Sequence, residues 1–449
     1  MACSGRRVPS AVFLLGCGWA GIAPHWLDPT VQLWPAISLA VLLGGYSLRT
    51  VLLQALRPSA SAVSARQAAG AEAGSAAAAL PAVDVVVAAR DEQAVITRLV
   101  EGIARLHYPE GQLNLWVVDD ASSDRTPQLL SELQQRFAFL RVMRREPGAG
   151  GGKSGALNLV SQQLQGRWML VLDADADLQP DTLERLIPMA ENGGWSAVQL
   201  RKAVVNPLTN WLTRAQAMEM ALDAVIQQGR LGSGGVAELR GNGQLLRRDG
   251  LQRAGGFNED TVTDDLDLSF RLLLAGEPVG ILWDPPVREE AVLTLAALWR
   301  QRQRWAEGGL QRFFDYWPAL CSNRLSGGQR LDLACFFLLQ YAMPVVALAD
   351  LLGALLTRSL PTFWPLSVVA FGLSGVSILS GCRRPGEGPA FPAMNLANLA
   401  LGIAYLGHWF VVIPWTTLRM ALLPKTLVWA KTTHLGAEPT EPVEDPAAA

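Results

Sequence analysis

The sequence predicts an open, mostly parallel α/β domain set between helices long and apolar enough to cross a membrane. Half of the 449 residues are hydrophobic and only 17% are charged, and the mean hydropathy is +0.20. The apolar residues gather towards the two ends of the chain. Between them, short β-branched runs alternate with amphipathic stretches, the pattern of successive βα units. The 38 Lys and Arg nearly cancel the 40 Asp and Glu. This composition excludes a disordered polymer and gives no reason to expect nucleic acid as the main partner. Cys3, Cys17, Cys321, Cys335 and Cys382 are scattered, with neither metal-ligand spacing nor a disulfide framework.

Five apolar stretches are membrane candidates: residues 11–27, 31–56, 331–356, 364–381 and 396–423. A bilayer core asks for roughly 20 apolar residues in a helix, and the second and the last three meet this more comfortably than the first. This divides the chain into an N-terminal transmembrane hairpin (1–57), a flexible Ala/Ser/Gly-rich linker (58–82), a catalytic-size α/β domain (83–290), amphipathic interface helices (291–325), C-terminal transmembrane helices (326–430) and a flexible tail (431–449). Asp350 and His408 interrupt the apolar runs and are costly unless they face a cavity or the interface. Arg6 and Arg7 before the first stretch, and Arg49, Arg57 and Arg66 around the end of the second, put both flanks and the α/β domain in the cytosol. Three further crossings would leave Lys425 and Lys431 outside, against that rule, so either one C-terminal segment is interfacial or the count of five differs. Leu14-Leu15-Gly16-Cys17 also reads as a lipoprotein cleavage box, an alternative that the need for cytosolic nucleotides disfavours.

Within the α/β domain, residues 83–88, 115–118 and 169–172 are the clearest strands, with crossover helices at 95–106 and 126–137. Ligands of such sheets bind beyond the carboxyl ends of the strands. There the sequence places Ala88-Ala89-Arg90-Asp91-Glu92, then Asp119-Asp120, then Asp173-Ala174-Asp175-Ala176-Asp177. A single Asp pair is ordinarily a turn or a helix cap, and Asp124 before Arg125-Thr126-Pro127 reads as a cap. Three strand ends loading one rim with acid is different, because packed carboxylates repel unless a cation or a donor ligand joins them. Mg²⁺ or Mn²⁺ takes such oxygen ligands and keeps substrate phosphate in its shell.

Basic and donor-rich pieces complement the acid. Gly148-Ala149-Gly150-Gly151-Gly152-Lys153-Ser154-Gly155 is Gly-rich, but Pro147 stands where a nucleotide-hydrolase phosphate loop has its first Gly. Lys153 suits a diphosphate nonetheless. Thr263-Asp264-Asp265 precedes an expected helix at 268–274, where capping explains one Asp. In Leu298-Trp299-Arg300-Gln301-Arg302-Gln303-Arg304-Trp305, an interfacial anchor accounts for Trp299 and Arg302 and less readily for the rest.

The succession Asp119-Asp120, Lys153-Ser154-Gly155-Ala156-Leu157-Asn158, Asp173-Ala174-Asp175, Thr263-Asp264-Asp265 and Gln301-x-x-Arg304-Trp305 resembles the membrane-bound family 2 glycosyltransferases. The resemblance spans residues 83–305 and departs where the usual Thr-Glu-Asp is Thr263-Asp264-Asp265, and where the first strand ends Ala89-Arg90-Asp91-Glu92. It implies a GT-A-like fold and an inverting, UDP-sugar-dependent hexosyltransferase. It further implies that Glu92 and Asp119 hold the uracil and ribose, with Asp120 close by and Lys153 near the diphosphate. Asp173 and Asp175 would bind Mg²⁺ or Mn²⁺, Asp175 more directly. Asp265 would be the general base, with Asp264 beside it, while Gln301, Arg304 and Trp305 close over the diphosphate and the acceptor end. The segment Arg240-Gly241-Asn242-Gly243-Gln244 aligns with the acceptor side.

Two acceptors remain open. The whole-chain layout is most similar to the members that make β-monoglucosyldiacylglycerol in oxygenic photosynthetic bacteria, which implies UDP-glucose as donor, diacylglycerol as acceptor and a plasma or thylakoid membrane. A processive β-polysaccharide synthase (cellulose, chitin or hyaluronan) needs the same five motifs. A non-catalytic scaffold would have lost one of Asp173, Asp175, Asp265 or Arg304, and all are present.

Overall fold

A computed structural model describes residues 5–28, 31–56 and 80–425. All of the expected linker but residues 80–82, and the tail at 431–449, lie outside the described residues. The chain runs as α1 (Arg7–Ile22), a 3₁₀ turn (Ala23–Trp26) and α2 (Trp34–Leu56). The α/β domain follows: β1 (Val83–Ala89), α3 (Ile96–Ala104), β2 (Leu113–Asp120), α4 (Thr126–Arg136), β3 (Leu140–Arg145), α5 (Gly152–Ser161), β4 (Trp168–Leu172), α6 (Thr182–Asn192), β5 (Ala197–Val204), α7 (Trp211–Gly232), β6 (Gln244–Arg247), α8 (Arg248–Arg253), α9 (Asp264–Leu274) and β7 (Val279–Glu289). Then come α10 (Leu295–Leu320), α11 (Gly327–Phe337), α12 (Met343–Thr357), α13 (Trp364–Arg383), α14 (Leu396–Leu406) and α15 (Trp409–Leu422).

The strands form one seven-stranded sheet in the order β3-β2-β1-β4-β6-β5-β7. All neighbours are parallel except β6, which runs antiparallel to β4 and β5. The run Val83-Asp84-Val85-Val86-Val87-Ala88-Ala89 is buried throughout, as expected of a parallel strand covered on both faces. One face packs Val85, Leu115, Leu170 and the helix residues Ile96 and Leu130; the other packs Val86, Met169, Leu157 and Leu268. Each fully buried side chain of this size contributes ~1.5–3 kcal/mol.

Two local expectations change. The pair Asp119-Asp120 ends β2 instead of following it, because each Asp stands in register with an arginine of β3, Asp119 with Arg144 and Asp120 with Arg145. The helix expected from residue 268 begins at Asp264 after an extended Thr263, with Asp264, Asp265 and Asp267 in its first turn. Negative charge is favoured there by the unpaired N–H groups of a helix start. Asp124 stands one residue before the cap position, which Arg125 holds without a side-chain bond, and its Oδ1 accepts from the Thr126 N–H at 2.9 Å.

Among the described residues, four stretches are long and apolar enough to cross a membrane: Arg7–Trp26, Gly327–Thr357, Trp364–Arg383 and Leu396–Leu422. The first qualifies because the 3₁₀ turn extends α1 to 20 residues. The helix α2 is 23 residues long, though its last side chains lie outside the description. Asp350 is not a stray charge in α12. It accepts from the Thr362 and Phe363 N–H groups (2.7 and 2.9 Å) and pairs with His25 at 2.8 Å, which ties α1, α12 and α13 at one end. The opposite end meets the α/β domain. Arg6 pairs with Glu307 of α10, Arg49 donates to the Ser233 carbonyl, and Arg384 donates to Gln228 of α7. The Leu396–Leu422 stretch touches this same side at both ends: Arg214 of α7 approaches Asn398 at 3.5 Å, and Arg419 donates to Gln303 of α10 at 2.9 Å.

Candidate active site

Nine of the residues singled out in the sequence line one cavity of about 560 Å³: Glu92, Lys153, Asp173, Asp175, Asp264, Asp265, Gln301, Arg304 and Trp305. They arrive from the ends of β1 and β4, the starts of α5 and α9, and one face of α10. Asp119 and Asp120 stand behind them. Asp119 is buried, accepting from the Ser122 N–H at 3.0 Å and lying 3.4 Å from the Arg144 guanidinium. Asp120 pairs with Arg145 at 2.6 Å. Arg145 also donates to the Gly150 and Gly152 carbonyls, so Asp120 acts through it on the Gly-rich turn that presents Lys153. Gly151 takes φ +65°, a conformation that favours glycine, and a Cβ there would have to displace the Glu259 carboxylate.

The acid rim is offset by the protein's own cations. Lys153 Nζ lies 2.6 Å from Asp173 Oδ1. Burial works to lower the lysine pKa, but the Asp173 and Asp264 carboxylates outweigh it and hold the ammonium more firmly protonated than usual. Burial likewise draws the Arg304 guanidinium down, against Asp173, Asp265 and Asp264. Asp175 Oδ2 accepts from the Glu290 N–H at 2.9 Å, and the Asp173 N–H donates to Asn242. With Asp173 40% exposed into the cavity, the two carboxylates suit a hard divalent cation that takes its remaining ligands from phosphate and water. Among the described residues no group of three or more His, Cys, Asp or Glu is placed to hold a metal by itself.

Asp265 occupies the second position of α9, half-buried. Its pKa is pushed up to about 6, first by burial and then by the charge of Asp264. A Cβ at Gly241 would lie 3.3 Å from Asp265 Oδ2, so the turn at Arg240-Gly241-Asn242 stands against the carboxylate. Asp264 Oδ2 is buried without a hydrogen-bond partner. Gly308 of α10 abuts Thr263, where a Cβ would fall 2.0 Å from Thr263 Oγ1. That close approach fixes the Asp264-Asp265 turn against the helix bearing Gln301, Arg304 and Trp305.

Arg302 corrects the sequence reading. Placed there as an interfacial anchor, it is fully buried. It pairs with Glu219 of α7, and its guanidinium lies over the Trp305 ring, 3.9 Å from the centroid. Glu219 also accepts from Tyr405 Oη and Trp409 Nε1, both at 3.1 Å. Lys202 Nζ is 5.6 Å from the Trp305 centroid, so two cations flank this ring. Glu219 and Lys202 belong to no motif, and only contacts across the fold single them out. Trp299 is 37% exposed.

Residues 81–308 match the profile of the family described as glycosyltransferase like family 2. The chain belongs to this family. It is a sugar-transferring enzyme. It is 43% identical to the β-monoglucosyldiacylglycerol synthase of Synechocystis sp. over 96% of this chain and 88% of that one. It is 44% identical to the enzyme of the same name from Trichormus variabilis over 80% of this chain and 77% of the relative. The solved mannosyltransferase PcManGT from Pyrobaculum calidifontis, in complex with GDP-Man and Mn²⁺, superposes with a TM-score of 0.54 at 20% identity, covering 85% of this chain and 99% of that one. That likeness establishes the GT-A-like fold.

Proposed function

We propose that this glycosyltransferase moves glucose from UDP-glucose to the free hydroxyl of 1,2-diacylglycerol, with inversion, giving β-monoglucosyldiacylglycerol. The observation that carries the reading is the continuity of the cavity. The space bounded by Asp173, Asp265 and Arg304 is also bounded by Phe371 of α13, Phe410 of α15 and Leu339 beside α12. A nucleotide-sugar site and an apolar chamber among membrane-candidate helices are thus one compartment, the arrangement a lipid acceptor requires. The names of the relatives agree with it.

In this reading Glu92 takes the uracil and ribose end, while Asp119 orients the 119–124 turn behind it and Asp120 acts through Arg145 on the Gly-rich turn. Lys153 and Arg304 meet the diphosphate, where negative charge develops as UDP leaves. Asp173 and Asp175 would hold Mg²⁺ or Mn²⁺, which supplies further neutralisation of that leaving group. Asp265 accepts the proton of the glycerol hydroxyl as the oxygen attacks the anomeric carbon. One base on the face opposite the leaving group implies inversion, so an α-linked donor gives a β-linked product. Trp305, flanked by Arg302 and Lys202, and Gln301 close the acceptor end.

The same reading places α1, α2, the α11–α12 pair and α13 across the bilayer, with the catalytic domain on the cytosolic side. The Leu396–Leu422 stretch then lies along that face, which keeps Lys425 inside and satisfies the charge rule. The deciding experiment supplies labelled UDP-glucose and diacylglycerol to membranes containing the enzyme and separates products by thin-layer chromatography. One chloroform-soluble spot that grows with diacylglycerol is expected. Label held at the origin as insoluble polymer would overturn the lipid acceptor and leave a polysaccharide synthase.

A further inference from the structure

Away from the carboxylates the cavity continues between α13 on one side and α12 and α15 on the other. The helix α13 packs along α2, α7 and α14, and it faces α15 across the Phe371–Phe410 ring pair, whose centroids are 5.5 Å apart with planes at 25°. Inside that pair the walls are Leu373 and Ser374 of α13 together with Leu339 and Pro344. Beside it, Val368 and Val411 are 61% and 57% exposed on the same two helices. The seam between α13 and α15 therefore has apolar side chains open to its surroundings on one side and an apolar chamber on the other.

We propose that this arm of the cavity holds an acyl chain of the acceptor, that the chain enters from the bilayer between α13 and α15, and that Phe371, Phe410 and Ser374 set how much chain is accommodated. The inference rests on the lipid-acceptor reading above. A chain leaving the bilayer for this arm exchanges one apolar environment for another, so burial itself contributes little to binding. What the arm adds is position, because a chain seated between Leu339 and Ser374 brings the attached glycerol hydroxyl towards Asp265 and holds it there. Selectivity is then steric, set by the volume of the arm and not by attraction per methylene.

The test compares dioleoylglycerol with dioctanoylglycerol as acceptors for the full-length enzyme in phosphatidylcholine proteoliposomes. Ser374→Trp fills the arm. It is expected to lower kcat/KM for dioleoylglycerol about tenfold relative to dioctanoylglycerol, with UDP binding unchanged as the check on folding. Equal losses on both acceptors, or none on either, would overturn the proposal. In parallel, wild-type enzyme is photolabelled with a diacylglycerol bearing a diazirine at the end of one acyl chain. Label on the peptides containing Phe371 or Phe410 is expected, and label confined to other helices would overturn it without recourse to any variant. Failure of the wild type to glucosylate either diacylglycerol would instead remove the lipid-acceptor reading, and this inference with it.

Discussion

Asp265 combines two properties that pull against each other. As the proposed base it must be ionised to take a proton, yet partial burial and then the neighbouring Asp264 charge push its pKa up to about 6. Below about pH 4 it is protonated folded or unfolded. As pH rises from there towards 6 the unfolded chain ionises first, so the group costs stability across that window and at all higher pH. Asp265→Asn should therefore lower turnover by about 10²–10⁴-fold while stabilising the fold at pH 7 by on the order of 1–3 kcal/mol, with UDP binding largely intact by calorimetry. Loss of UDP binding together with turnover would make Asp265 structural. The acid limb of kcat/KM should fall near pH 6 and move to lower pH in Asp264→Asn, because a like charge has been removed. At Asp173 and Asp175, EDTA should stop turnover and Mg²⁺ or Mn²⁺ restore it; turnover indifferent to EDTA would count against the metal role.

Several elements are placed by single close approaches. The start of α9 lies against α10 where Gly308 meets Thr263, so Asp265, the proposed base, and the residues Gln301, Arg304 and Trp305 are set relative to one another by a missing side chain. Gly308→Ala must push the two helices apart, which costs ~1–3 kcal/mol of overpacking. A displacement of about 1 Å at the base should lower kcat on the order of 10²-fold. A melting curve shifted only modestly alongside a large fall in kcat is expected; an unchanged kcat would show that α9 and α10 adjust independently. Glu219 works at the same scale, since its carboxylate gathers Arg302, Tyr405 and Trp409 from three helices behind the Trp305 ring.

At the scale of the whole molecule, the catalytic domain sits at one end of a helix bundle whose other end is tied by Asp350 and His25. The placement of the Leu396–Leu422 stretch decides the topology. In sealed vesicles, an impermeant maleimide should reach Leu360→Cys and the exposed Cys321 from opposite faces, and Lys425→Cys from the same face as Cys321. Labelling of Lys425→Cys together with Leu360→Cys would show that the last stretch crosses.

The parallel α/β domain was legible in the sequence because β-branched runs and amphipathic stretches are local patterns, and the hydrophobic effect reads them residue by residue. The positions of Lys153, Asp173, Asp175 and Asp265 were legible too, since strand ends and helix starts converge on one rim of such a sheet, while Arg304 was visible only through the resemblance of Gln301-x-x-Arg304-Trp305 to a family motif. Asp119 and Asp120 were visible as acids, but their neutralisation by Arg144 and Arg145 depends on the pairing of β2 with β3. Arg302 is the plainest case of what local pattern misses. A Trp/Arg-rich amphipathic stretch has the composition of an interfacial anchor, and only the packing of α7 and α14 against α10 turns that arginine inward onto Glu219. Likewise hydropathy counts apolar residues and is blind to which side a helix returns to. Composition and periodicity thus determined the fold class and put acids at the strand ends, because both are local patterns; tertiary structure alone decided which charges are paired and that the acid rim shares one cavity with Phe371, Phe410 and Leu339, because those contacts join residues far apart in the chain.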